Sequence, residues 1–154
     1  MNNKFLIKTL SYPMIITGII MILLGARWMI HNEPWMLDEV ANVERLGGIT
    51  FEKLFSEEIN NTLPGYLSQI YKFFGFWVIV IGLFITNFSL PSVIVKKEVS
   101  MRLLSIVGFM IIMGSYLSYT LIPSSHFIFL AWGLMAGYFI SLFSFYKLNK
   151  NNEK

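Results

Sequence analysis

Cysteine is absent from all 154 residues. No disulfide can steady a loop, and no Cys-x-x-Cys pair can exchange thiols with a partner. Charge is scarce as well: 14% of the residues are Asp, Glu, Lys or Arg, where a soluble domain carries about 25%. Only 2 histidines occur, without the His-x-x-x-His or Glu-x-x-His spacing that clusters metal ligands. A Gly-rich phosphate loop and a Ser-His-Asp arrangement are missing too. The chain is therefore expected to be non-enzymatic, with no catalytic residue, no metal and no identified cofactor.

What the chain has instead is apolar length. Hydrophobic residues make up 55% of it, concentrated in the runs Leu10–Ile30, Phe73–Leu90, Leu103–Ile122 and Phe127–Phe145. Each approaches the roughly 20 residues that an α-helix needs to cross a bilayer. Spans are expected at about 10–30, 70–90, 103–122 and 126–146, with an outer loop over about 31–68. The expected fold is all-α: a polytopic membrane protein, a single four-transmembrane-helix bundle over residues 1–154. The first run reads as a retained anchor, because Leu23-Leu24-Gly25-Ala26 places leucine where a cleavable signal wants a small residue.

Basic residues flank these runs on one side. Lys4 and Lys8 precede the first, Lys96, Lys97 and Arg102 lie between the second and third, and Lys147, Lys150 and Lys154 follow the fourth. Positive flanks remain cytoplasmic, so both termini are expected in the cytoplasm, in a cell membrane (plasma or inner). The opposite side dilutes Arg27, Arg45, Lys53 and Lys72 with Glu33, Asp38, Glu39, Glu44, Glu52, Glu57 and Glu58. The net charge of +3 thus speaks for anchoring to the inner lipid surface, with no nucleic-acid partner.

The outer loop has its own pattern. Asn32 as a cap and Pro34 in the first turn predict a helix whose stripe Leu37, Val40, Val43 and Leu46 ends at Gly47-Gly48. A second short helix is expected after Thr50, with Phe51, Leu54, Phe55 and Ile59 on one face. Pro64-Gly65 then reads as the turn into the second span. Short amphipathic helices of this kind cap a bundle or lie in the headgroup layer.

Small residues predict the contacts between spans, since close approach drives helix association in lipid. Gly18 and Gly25 are seven apart in the first run, and so are Gly75 and Gly82 in the second. These two helices should pack along that seam. Gly133, Gly137 and Ser141 line one face of the fourth run, for use inside the bundle or against a second copy.

The central thirds of all four runs hold no ionisable residue, which argues against proton relays and ion pathways. Polar groups gather near the outer ends instead, among them Tyr71, Ser115, Ser118 and Thr120. As ligand contacts for a shallow outward-facing pocket, the candidates are Arg27, His31, Gln69, Lys72, Tyr116, Tyr119 and His126. Each has a plainer role: Arg27 can snorkel, and Trp28, Trp35, Tyr66, Tyr71 and Tyr119 suit an interfacial aromatic belt. The two histidines make a bis-imidazole haem conceivable at that boundary.

The segment from Gly18 through Gly25 and Ala26 to Arg27 resembles the opening helix of the DoxX-like group of small four-helix membrane proteins, where two similarly spaced glycines precede a basic residue. The resemblance covers about twenty residues. It departs in having Arg one position earlier than the usual Lys and in its long outer loop. It implies an accessory role near quinone or thiosulfate oxidation, or in membrane redox homeostasis. Three expectations follow for this chain, whose surroundings are the lipid bilayer. One is an accessory or structural component that meets a membrane-protein partner or a second copy of itself. Another is a binder of a lipophilic molecule such as a quinone or lipid. The last is a small transporter acting as an oligomer.

Overall fold

The computed structural model describes residues 2–152, so Lys154 lies outside the described residues. It contains helices and no strand among them. Helix α1 runs over Asn3–Ile30, α2 over Glu39–Arg45, α3 over Phe51–Ser56 and α4 over Leu63–Phe88. A short α5 covers Pro91–Ile94, followed by α6 (Lys97–Leu121) and α7 (Phe127–Asn152). Single 3-10 turns at Pro34–Asp38 and Glu58–Asn60 complete the loop. Helices α1, α4, α6 and α7 are each long and apolar enough to cross a membrane. The 26 residues of α4 rise about 39 Å at 1.5 Å each, which exceeds the ~30 Å hydrocarbon core and leaves its ends in the headgroup layers.

All four long helices outrun their apolar runs. Helix α1 starts at Asn3 because the Asn2 side chain accepts from the Lys4 N–H at 2.9 Å, and Leu6, outside the expected span, is fully buried. Helix α7 continues past Phe145 to Asn152. The Asn151 side chain donates to that of Asn3 at 3.0 Å, so the chain's two ends meet. Lys4, Lys8, Lys96, Lys97, Arg102, Lys147 and Lys150 therefore share one end of the bundle, called here the basic end.

Helix α1 is the centre of the assembly, packed on α4 along one side and on α7 along another; α6 leans on α7 and barely meets α4. The α1–α4 seam is as close as backbones allow. A Cβ added at Gly75 would lie 2.6 Å from the Gly25 carbonyl oxygen, and one at Gly82 would lie 2.6 Å from that of Gly18. Against α7, the buried Ser141 hydroxyl donates to the Leu10 carbonyl at 3.0 Å, and Gly137 faces Pro13. Gly133 has no neighbour at its missing side chain. Near the basic end, Leu6, Leu10, Met14, Ile94, Leu104 and Val107 make a dry core, where the Ser11 hydroxyl donates to the Ser89 carbonyl of the α4–α5 link.

Most of each long helix faces outward. Phe73, Phe84, Ile106, Phe109, Phe129 and Phe143 are all more than half exposed. A helix that is apolar around its whole girth and so little covered has lipid as its solvent.

The loop departs from its expected pattern in four places. Glu33, not Asn32, precedes the first turn, which is 3-10 rather than α, and its N-cap makes no side-chain hydrogen bond. At Asp38 (φ −139°, ψ 50°) the backbone breaks before α2 begins. That break turns the inward face to Trp35, Leu37 and Ala41 and leaves Val40 71% exposed. Helix α3 starts as expected, with the Thr50 hydroxyl accepting from Lys53 N–H at 3.3 Å. It ends at Ser56, so Ile59 falls in the next turn and is 90% exposed. Pro64 sits in the first turn of α4, where a missing N–H costs nothing, instead of making a turn of its own.

Candidate functional site

The loop is fastened over the ends of α6 and α7 by polar contacts. The Arg45 guanidinium donates to the Thr120 carbonyl at 2.6 Å, the Ser124 hydroxyl donates to the Glu44 carboxylate, and the Ser125 hydroxyl donates to Asp38 Oδ2 at 2.6 Å. Trp35 packs on Phe51 and Phe55 within the loop itself. Trp35 is thus a buried core residue of the cap and no member of an aromatic belt.

Beneath this cap lies a cavity of about 500 Å³ bounded by all four long helices. Helix α1 contributes Met21, Leu24 and Trp28, α4 contributes Tyr71, Phe74 and Val78, and α7 contributes Phe127, Leu130 and Ala131. Helix α6 adds Met110, Ile111, Gly114, Ser115 and Ser118, and the roof is Pro34, Asp38 and Asn42. The space exists because α4 is held tight to α1 while nothing comparable draws it to α6. Gly114 and Ala131 then put little volume into the gap.

Polar groups are few: Thr17 midway along α1, whose hydroxyl donates to the Pro13 carbonyl at 2.9 Å, and a set on the loop side. Asn42 Nδ2 donates to the Trp35 carbonyl at 2.7 Å and to the Tyr71 hydroxyl at 3.3 Å, which fixes the phenol at the wall. Asp38 uses one oxygen for Ser125. Its Oδ1 is buried without a hydrogen-bond partner; the imidazole Nδ1 of His126 stands 3.3 Å away, on a side chain 58% exposed at the rim. Ser115 Oγ, also on the cavity wall, is buried and unpartnered as well. Around them are rings: Trp28 lies 5.0 Å from Phe74 and 5.9 Å from Phe127, centroid to centroid.

The seven candidate contacts do not line this cavity. Arg27, His31, Gln69, Lys72, Tyr116, Tyr119 and His126 are all exposed. Helical geometry separates them from it: Tyr116 and Tyr119 follow Ser115 and Ser118 by one residue, which is about 100° of rotation toward lipid. Lys72 follows Tyr71 in the same way, and Gln69, two residues before it, lies on nearly the opposite face of α4. Tyr119 accepts from the Trp132 indole N–H at 2.9 Å, and His31 Nδ1 accepts from the Glu33 N–H at 3.1 Å. Only His126 reaches the site, through Asp38. The polar groups on the cavity roof that were not among the candidates are Asp38 and Asn42. Their spacing of four along the loop, beside the apolar Trp35 and Ala41, was the available signal. Among the described residues, no group of three His, Cys, Asp or Glu side chains could hold a metal.

A second groove of about 540 Å³ continues the α4–α6 gap toward the basic end, between Phe84 and Phe88 on one side and Leu103 and Ile106 on the other, with Arg102 at its edge. It shares Ile85 and Met110 with the capped cavity.

Fold and site together define a capped bundle with four helices fit to cross a membrane. No protein-family model, curated protein or solved structure matches the chain.

Proposed function

We propose that the protein holds a lipophilic small molecule, of the size class of a quinone or a lipid fragment, in the capped cavity. The observation that carries this reading is the cavity itself: about 500 Å³ of nearly apolar space, with unpartnered polar atoms only under the loop. Ligand sites typically combine that volume with that sparse polarity. The gap between α4 and α6 is not sealed, so molecules dissolved in the bilayer can enter it. Something apolar fills it, and the polar atoms at one end favour a molecule with a head over a plain lipid tail. The loop, tied to α6 and α7, is the cap that shields the head from water. With the basic end in the cytoplasm, as the positive flanks suggest, the molecule sits toward the outer leaflet of a cell membrane. The redox role implied by the DoxX-like resemblance would make a quinone one such occupant.

Extraction of the protein purified in mild detergent, followed by mass spectrometry, tests this. A lipophilic compound enriched over bulk lipid in the wild type and lost in Ala131→Trp, which fills the cavity from α7, is the expected result. The same extract from both proteins would overturn the reading.

A further inference from the structure

We infer that the head group of the occupant is a protonated amine, so that the cavity is a receptor for lipophilic cations. The inference rests on the cavity reading above and adds the chemistry of its polar end. Among the described residues, Asp38 is the one charged residue on the wall, and its Oδ1 is buried without a hydrogen bond. A buried carboxylate oxygen without a hydrogen bond is costly; the His126 imidazole 3.3 Å away meets it from the rim, and a donor that also carries positive charge would meet it from inside the cavity. Ser115 Oγ, likewise unpartnered, supplies a second acceptor on the same wall.

The rings point the same way. Trp28, Tyr71, Phe74 and Phe127 line the cavity with Asp38, and Trp28 lies within 6 Å of both phenylalanine rings. Indole and phenyl faces attract ammonium groups, most strongly where water is excluded. A carboxylate beside an aromatic wall is the arrangement that compensates a cation for its lost hydration.

Other head groups fare worse. A quinone offers only carbonyl acceptors and would leave Asp38 Oδ1 with the rim contact to His126 and nothing from inside the cavity. An anion would meet a wall with no basic residue, since Arg27 and Lys72 face away. A neutral alcohol can donate one hydrogen bond but leaves the carboxylate's charge unanswered. His126 can offset that charge from the rim, but its mostly exposed ring does not enter the cavity.

The test uses full-length protein in nanodiscs of neutral phosphatidylcholine, with empty nanodiscs subtracted. Dodecylamine, dodecanol, laurate and a decyl-substituted benzoquinone are compared by equilibrium retention. The inference expects the amine to be retained at least about tenfold better than the alcohol, as one charge-assisted contact would give. Asp38→Asn, which keeps an oxygen for Ser125, should bring the ratio of amine to alcohol retention close to one. Phe127→Leu should lower that ratio severalfold, so a misfolded Asp38 variant would not decide the matter alone. Equal retention of amine, alcohol and quinone, with all three lost in Ala131→Trp, would overturn the cation inference and leave the cavity reading standing. No retention of any probe above empty discs would overturn both.

Discussion

Helix α4 makes two seams, and they could hardly be less alike. Toward α1 it presents Gly75 and Gly82, whose missing side chains let the two backbones touch. Toward α6 it presents Phe74, Val78 and Ile85, and there the helices stand apart around a cavity and a lipid-facing groove. In water such an apolar gap would collapse. In lipid the hydrocarbon outside is as good a solvent as a neighbouring leucine, so a seam closes only where small residues or hydrogen bonds draw it together. The bundle is thus closed by glycine and serine and left open by bulk, and the open side is where the proposed occupant sits.

The sharpest way to break this contrast is the same substitution on the two seams. Gly82→Leu would drive a branched side chain into the Gly18 carbonyl, which belongs to a helix backbone and cannot move aside. A loss on the order of 3 kcal/mol or more is expected, read as a large fall in the denaturing detergent concentration that unfolds the protein. Gly114→Leu, whose side chain would enter open space on the cavity wall, has no such obstacle. Its stability should be unchanged or raised by up to about 1 kcal/mol, since glycine is the poorer helix former. Its retained lipophilic compound should nevertheless fall about tenfold, equivalent to roughly 1.4 kcal/mol of lost binding. Equal damage from both substitutions would mean that the two seams are not different in kind.

The closed seam was legible in the sequence and the open one was not. Paired glycines seven apart report on backbone approach, a local property that survives without knowledge of the partner's register. The four apolar runs were equally plain, because crossing hydrocarbon forces length and composition together. The cavity wall was harder to read. It depends on which face of α6 points inward, and the uniform apolarity of that helix hides its face: Ser115 and Ser118 look no different in sequence from Tyr116 and Tyr119. Asp38 was hidden for another reason. It stood among acidic loop residues as one more solvated charge, until the backbone break before α2 turned it beneath the cap.

A smaller effect probes the α1–α7 seam, which a hydrogen bond helps to close. Ser141→Ala removes the donor to the Leu10 carbonyl at a fully buried position. Because that carbonyl already accepts within its helix, the cost should be about 1 kcal/mol, the net worth of one hydrogen bond. Ser141→Val should cost more, as two further methyl groups press on α1 where Ser141 has none to spare. The pair of variants, measured in the same detergent unfolding assay, separates a seam held by a bond from one held by size.

The smallest effect is expected about two turns back along α7. Gly133 begins the small-residue series that sequence alone leaves open to use by a second copy, yet Gly137 and Ser141 of that series are spent on α1. What remains outward is a lone glycine with nothing within 4 Å of its missing side chain. One small residue gives two backbones a point of approach, whereas a pairing face needs a second at the next turn. Gly133→Leu should therefore change neither stability by more than about 0.5 kcal/mol, the usual range for an uncontacted site, nor the particle mass measured by light scattering in mild detergent. A wild-type dimer that this substitution splits would show that α7 offers a third kind of seam, one that closes only between copies.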